Sequence, residues 1–137
     1  PVVSQMEELL PAAAGNLDLV TFNFFYHDTV NLGVDCAKMN RAVFNALKPG
    51  GIYIVADHSA RLGTGISDTK SLHRIEESIL RREVEAAGFR LAAQGEFLRN
   101  PQDTRDVQVQ KNTVPNDEFV LKFVKPAQTR PTESNPM

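Results

Sequence analysis

The run Leu47-Lys48-Pro49-Gly50-Gly51-Ile52-Tyr53-Ile54-Val55 constrains this chain more than any other segment. Proline cannot continue a helix, and glycine accepts positive φ. Pro49-Gly50-Gly51 therefore ends the helix that leads into Leu47 and turns the chain. The apolar, largely β-branched residues Ile52 to Ala56 then read as a buried strand. Helix, tight turn and buried strand make the second half of a βαβ unit. The first half stands upstream: Leu17-Asp18-Leu19-Val20-Thr21-Phe22-Asn23-Phe24-Phe25 is a near-continuous apolar run that suits a strand covered on both faces and ends in polar Tyr26-His27-Asp28. Between the two strands, Cys36, Met39, Val43 and Leu47 share one stripe of a helix over Val34 to Leu47.

The same alternation continues. A loop rich in glycine and threonine spans Arg61 to Thr69. Leu72, Ile75, Ile79, Leu80, Val84 and Ala87 then supply the apolar side of a second helix over roughly 72–87, stopped by Gly88. Phe89 to Leu98 reads as a strand, Asn100 to Asn116 as a polar loop or edge excursion, and Glu118 to Val124 as the last strand. The order strand, helix, strand, helix, strand, strand predicts an α/β fold with a mostly parallel sheet and an antiparallel strand near its C-terminal edge. We expect one domain over 1–126. A helical or irregular lead-in (Pro1 to Ala14) precedes it, and a tail over 127–137, rich in proline, threonine, serine and asparagine, is expected to be disordered.

Composition narrows the function classes. A net charge of −2 gives no electrostatic case for nucleic acid or an anionic membrane. No apolar run approaches the roughly 18 residues that cross a bilayer. The single cysteine, Cys36, excludes an internal disulfide and fits a reducing, cytoplasmic setting.

Several short motifs keep their order along residues 7–126: Asp18-Leu19-Val20, Tyr26-His27-Asp28, Leu47-Lys48-Pro49-Gly50-Gly51, Asp57-His58-Ser59-Ala60, Leu72-His73-Arg74-Ile75, Ala86-Ala87-Gly88-Phe89 and Phe123-Val124-Lys125-Pro126. In this the chain resembles a group of predicted bacterial class I S-adenosylmethionine-dependent methyltransferases. The resemblance implies a Rossmann-like sheet of seven strands, the last antiparallel, with this chain matching the fourth to seventh. It implies S-adenosylmethionine as cofactor and a small molecule as substrate. The family's cofactor-holding first strand, its glycine-rich loop and the acidic residue after its second strand have no counterpart here. The only Gly-x-Gly, Gly63-Thr64-Gly65, follows the wrong strand and reads as an ordinary loop.

In open α/β sheets ligands bind beyond the C-terminal ends of the strands. Asn23, Tyr26, His27 and Asp28 lie at one such end, and Asp57 and His58 at the next. By the resemblance, the first group faces the methyl group and substrate, which makes Asn23 and Tyr26 candidates for cofactor contact. Asp28 suits a general base and His27 an acid or base near neutral pH. The competing structural roles are a helix-entry cap for Asp28 and an exposed position for His27. His73 and Arg74 open the second helix, where Arg74 is expected to tie Asp57 to the helix and His73 to join the site. Consecutive strand residues alternate faces, so Asp57-His58-Ser59 cannot form a hydrolytic relay by itself. No His-x₃-His or Cys-x₂-Cys spacing supports metal ligands, and none is expected. Cys36 lies on an apolar stripe and reads as a core residue.

Three functions follow as expectations. The first is methyltransferase-related activity, with the chain a fragment, a split subunit or a protein completed by a partner. The second is a half-domain reused as an ester or lactone hydrolase. The third is an associating module: a sheet that begins at the family's fourth strand exposes the edge of Leu17 to Phe25, so a homo-oligomer is expected.

Overall fold

A computed structural model describes residues 15–127. The expected lead-in over 1–14 and the tail from residue 128 onward lie outside the described residues. The described chain builds four strands, β1 (Leu17–Asn23), β2 (Leu47–His58), β3 (Arg90–Gly95) and β4 (Glu118–Val124), and three α-helices, α1 (Tyr26–Asn31), α2 (Cys36–Ala46) and α3 (Glu77–Ala86). The sheet order is β1-β2-β4-β3. β1 and β2 pair in parallel, and β4 runs antiparallel to both its neighbours. Three strands thus share one direction and the last strand reverses between two of them, as the motif order implied.

The Pro49-Gly50-Gly51 turn is a bulge inside β2. Leu17 pairs with Leu47 and Leu19 with Ile52, so Lys48 to Gly51 loop out of the ladder. Gly50 has φ +83°, and a Cβ on Gly51 would stand 2.8 Å from the Lys48 carbonyl oxygen. Lys125 closes this turn from the far end of the chain. Its Nζ donates to the carbonyls of Phe44 (2.9 Å) and Leu47 (2.8 Å), satisfying acceptors at the α2 C-terminus with a cation. Its backbone pairs with Gly50 and Gly51.

The core lies on one face of the sheet. Met39 and Val43 of α2 and Leu80 and Val84 of α3 pack on Tyr53 and Val55 of β2 and on Phe119, Leu121 and Phe123 of β4. Each such buried side chain contributes roughly 1.5–3 kcal/mol relative to exposure. The opposite face is uncovered by the described residues. Thr21, Asn23, Ile54, Ala93, Phe97 and Val120 line an open trough of about 560 Å³ on it. The expectation of strands covered on both faces is therefore corrected: β2 is apolar on both faces and β1 turns Leu19, Thr21 and Asn23 outward, but the described residues cover only one face. β1 is an edge strand, as expected.

Three element boundaries also differ from expectation. β1 stops at Asn23 because Phe24 turns to φ +60° and gives its N–H to the Ala56 carbonyl, and Tyr26-His27-Asp28 begins the short helix α1 instead of a loop. The helix expected over 72–87 starts only at Glu77. Residues 72–76 share its apolar spacing, but His73 adopts φ +58° and Ile75 continues beyond β2 as a bridge to Ser59. β3 ends at Gly95 rather than Leu98.

Candidate functional site

The C-terminal ends of β1 and β2 carry a compact polar cluster. Its centre is Asp57, which is fully buried. Side-chain alternation turns Asp57 toward the helix-covered face, beneath the start of α1. Its carboxylate accepts three hydrogen bonds: from His27 Nδ1 (2.7 Å), from the His27 backbone N–H (2.9 Å) and from the His58 backbone N–H (2.8 Å). With Nδ1 donating to Asp57, the lone pair of the His27 ring is left on Nε2. That nitrogen stands 3.4 Å from Asp28 Oδ1. Burial disfavours the charged form of His27, but the hydrogen bond and charge of Asp57, helped by Asp28, win and raise its pKa above the ordinary value.

His73 reaches the same place from the loop before α3. Its Nδ1 is 3.9 Å from Asp28 Oδ1, and its ring stands edge-on to His27 with centroids 5.6 Å apart. His58 approaches from the bare face, stacked on Phe24 (5.1 Å) and tilted against His27 (5.7 Å). Glu118 Oε2 lies 2.8 Å from His58 Nδ1, yet off the direction in which a ring N–H points, so that nitrogen has no aligned hydrogen bond. Burial pushes His58 down and, with the charges of Asp57 and Asp117, pushes Glu118 up, which favours the neutral form of both.

The structure thus gathers His27, Asp28, Asp57, His58 and His73. Asn23 is exposed at the strand end and lines the trough on the bare face. Tyr26 departs from the group. It is fully buried, its hydroxyl donates to Glu83 (2.7 Å) and accepts from Asn40 (2.8 Å), and burial pushes its pKa strongly up. In that position it is a core residue joining α1, α2 and α3. Cys36 is partly buried, with Sγ 3.4 Å from Thr29 Oγ1 and its thiol pushed up by burial.

Arg74 is paired, but with a different acid from the one expected. Asp57 is already taken by His27. Arg74, fully buried, instead forks onto Asp103 (2.8 and 3.2 Å) and donates to the carbonyls of Ser59 (3.0 Å) and Val107 (2.9 Å). Asp103 also accepts from the backbone of Asp117 and Arg105. The segment 100–116, read as a polar excursion, is therefore tied down around a buried ion pair directly behind His73. The one sequence clue to it was the density of Asp, Asn and Arg there, which spacing rules do not resolve.

The Gly63-Thr64-Gly65 loop does bind a carboxylate, its own. Glu76 Oε1 accepts from the N–H groups of Gly63 (3.0 Å) and Gly65 (2.9 Å). These donors are not free to hold a methionine carboxylate or a phosphate. Among the described residues this loop therefore does not form a glycine-rich cradle for S-adenosylmethionine.

No protein-family model matches the sequence, and no curated protein matches it significantly. Solved structures do match. A methyltransferase from Methanosarcina mazei that uses S-adenosylmethionine superposes with TM-score 0.64 at 13% identity, over 93% of this chain and 67% of that one. The 4+2 cyclase SpnF gives TM-score 0.63 at 16% identity, over 89% of this chain and 55% of that one. The 16S rRNA (adenine(1408)-N(1))-methyltransferase from Catenulisporales acidiphilia gives 0.58 at 16%, over 93% and 62%. This chain spans between about half and two thirds of their lengths. At such identities the likeness is one of architecture: the chain has the Rossmann-like fold of the S-adenosylmethionine-dependent methyltransferases, in part.

Proposed function

We propose that this chain is the acceptor-facing part of an S-adenosylmethionine-dependent methyltransferase acting on a small molecule. A glycine-rich half, in the same polypeptide or a partner, would supply the cofactor cradle. The observation that carries this reading is the cluster of His27, Asp28, His58 and His73 at the ends of two parallel strands. Those groups would bind the acceptor and draw off its proton. The bare apolar face and the unpaired β1 edge are surfaces that the complementary half would cover. Fold alone does not name a reaction, as the cyclase among the structural matches illustrates.

The test begins with the DNA upstream of the Pro1 codon and continues with calorimetric titration of the natural protein with S-adenosylmethionine. An in-frame or adjacent glycine-rich half, cofactor binding, and methyl transfer lost in His27→Ala with binding retained are the expected results. A natural protein that binds no S-adenosylmethionine, alone or with its copurifying partner, overturns the reading.

The buried His27–Asp57 pair also favours a second reading, in which the half-domain activates water against an ester or lactone. A chromogenic ester and acyl-lactone screen with His27→Ala and His58→Ala separates the two. Activity equal to the parent in both variants removes these histidines from any hydrolytic role.

A further inference from the structure

We infer that His27, Asp28 and His73 form a binding site for one divalent transition-metal ion. His27 Nε2, Asp28 Oδ1 and His73 Nδ1 all lie within 4.8 Å of one another. Donors bound at about 2.0–2.2 Å in tetrahedral geometry stand roughly 3.3–3.5 Å apart. The observed separations of 3.4 Å and 3.9 Å to Asp28 need only a few tenths of an ångström of closure, and the two ring nitrogens, within 4.8 Å of each other, close by at most about 1.5 Å. Two imidazoles and one carboxylate suit zinc, iron(II) or a similar first-row ion, whereas magnesium and calcium prefer all-oxygen sets.

Two observations independent of the spacing support the assignment. The first is the arrangement behind His27. A metal-binding histidine donates its other ring N–H to a carboxylate, which fixes the ring and its tautomer. His27 Nδ1 does this to Asp57 Oδ1 at 2.7 Å, and the His27 main-chain N–H anchors the other oxygen of the same carboxylate. The Nε2 lone pair is therefore left free, 3.4 Å from Asp28 Oδ1, before any ligand arrives.

The second is His73. Its backbone sits at φ +58°, a conformation that is strained for a non-glycine residue and persists where surroundings enforce it. Arg74, locked into Asp103, enforces it on one side. On the other, Thr69 and Asn31 exchange hydrogen bonds that tie the preceding loop to α1, the helix that carries His27 and Asp28. Loop and helix are thus fixed relative to one another at the point where the three donors meet.

Side-chain exposures of 4% for His27, 31% for His73 and 35% for Asp28 place the ion at the floor of an open mouth. Three protein ligands and an open position describe a catalytic rather than a structural site, in which water or an acceptor oxygen would take the remaining coordination. An ion there would polarise that oxygen as a Lewis acid, with His27 then serving as ligand and not as proton acceptor. The site stands on the chain's own geometry and does not depend on the methyl-transfer reading.

The test uses tag-free protein stripped with a chelator and titrated with zinc chloride by calorimetry, without S-adenosylmethionine. One ion per chain is expected. Affinity should fall at least tenfold in Asp28→Asn and in His73→Ala, both partly exposed and expected to fold as the parent by circular dichroism. Asp57→Asn should weaken binding about 10–100-fold while leaving all three ligands in place. Cobalt(II) should report the same site by ligand-field absorption that His73→Ala abolishes. Absence of zinc binding, or binding unchanged in Asp28→Asn and His73→Ala, overturns the proposal and leaves the methyltransferase reading untouched.

Discussion

Replacing Arg74 by methionine tests the least expected part of this fold. The guanidinium is fully buried and donates to Asp103, to the carbonyls of Ser59 and Val107, and to Asn116. Methionine fills similar space but leaves the Asp103 carboxylate with only its donors from Asp117, Arg105 and Asn112. Removing one partner of a buried, hydrogen-bonded ion pair costs about 3–5 kcal/mol, a large share of the roughly 5–15 kcal/mol that holds a domain together. In urea unfolding followed by far-ultraviolet circular dichroism, the unfolding free energy should fall by that amount, lowering the midpoint at unchanged slope. The same pair has a pH signature. Burial opposes ionisation of Asp103, but the hydrogen bonds from Arg74 and the backbone prevail and hold its carboxyl down at about 2. An unfolded aspartate titrates near about 3.9. The folded value is the lower one, so its stabilising contribution, about 2–3 kcal/mol, is complete above pH ~4 and lost as pH falls toward 2. Arg74→Met should flatten that acid limb. A loss below about 1 kcal/mol, or an acid limb identical to the parent, would refute the assignment of Arg74 and Asp103 as the anchor of this region.

Other perturbations have defined outcomes. Gly88 has φ +114°, and a Cβ there would stand 2.9 Å from the Phe44 ring, so Gly88→Ala should cost about 1–3 kcal/mol in thermal or urea unfolding. Lys125→Met strips two charge-assisted hydrogen bonds from the α2 terminus and should cost about 2 kcal/mol; a neutral result would show that water replaces the ammonium freely. On its own, the chain should sediment as a dimer or larger assembly, a second copy covering the edge of β1. A well-folded monomer at micromolar concentration removes that expectation.

The fold was legible where local chemistry and tertiary structure agree. Pro49-Gly50-Gly51 bars any continuation of α2, which ends at Ala46, and Gly50 accepts the φ of +83° that the turn requires. Gly88 follows α3 because only glycine fits against Phe44. The pattern Phe123-Val124-Lys125-Pro126 gains a physical meaning from the structure: its lysine caps the helix that ends at the earlier turn, 78 and 81 residues away. What failed was periodicity at segment ends. Leu72 and Ile75 have helical spacing with Ile79, but Ile75 is claimed by a backbone bridge to Ser59, a long-range contact no local window contains. The near-continuous apolar run of β2 marked a strand apolar on both faces, whereas β1 turns Thr21 and Asn23 outward, and neither run could say which faces the described residues cover.

The site was half legible for a similar reason. Placing polar residues at strand ends found His27, Asp28, Asp57 and His58, because a parallel sheet brings successive strand ends together whatever the loops do. It did not find which acid serves which base. Asp57 and Arg74 were the plausible pair by charge, but alternation along β2 turns Asp57 under α1, where His27 presents both its ring and its backbone N–H. Arg74, left without that acid, is satisfied by Asp103 from a segment with no regular pattern. The exchange has a consequence for chemistry. An arginine on Asp57 would have neutralised it and left His27 free to choose its tautomer. With Arg74 held elsewhere, the Asp57 charge is spent on orienting His27, and Nε2 is left within 4.8 Å of ligand atoms of Asp28 and His73. Two separate buried pairs, rather than one shared network, are what set three potential ligands around a single point.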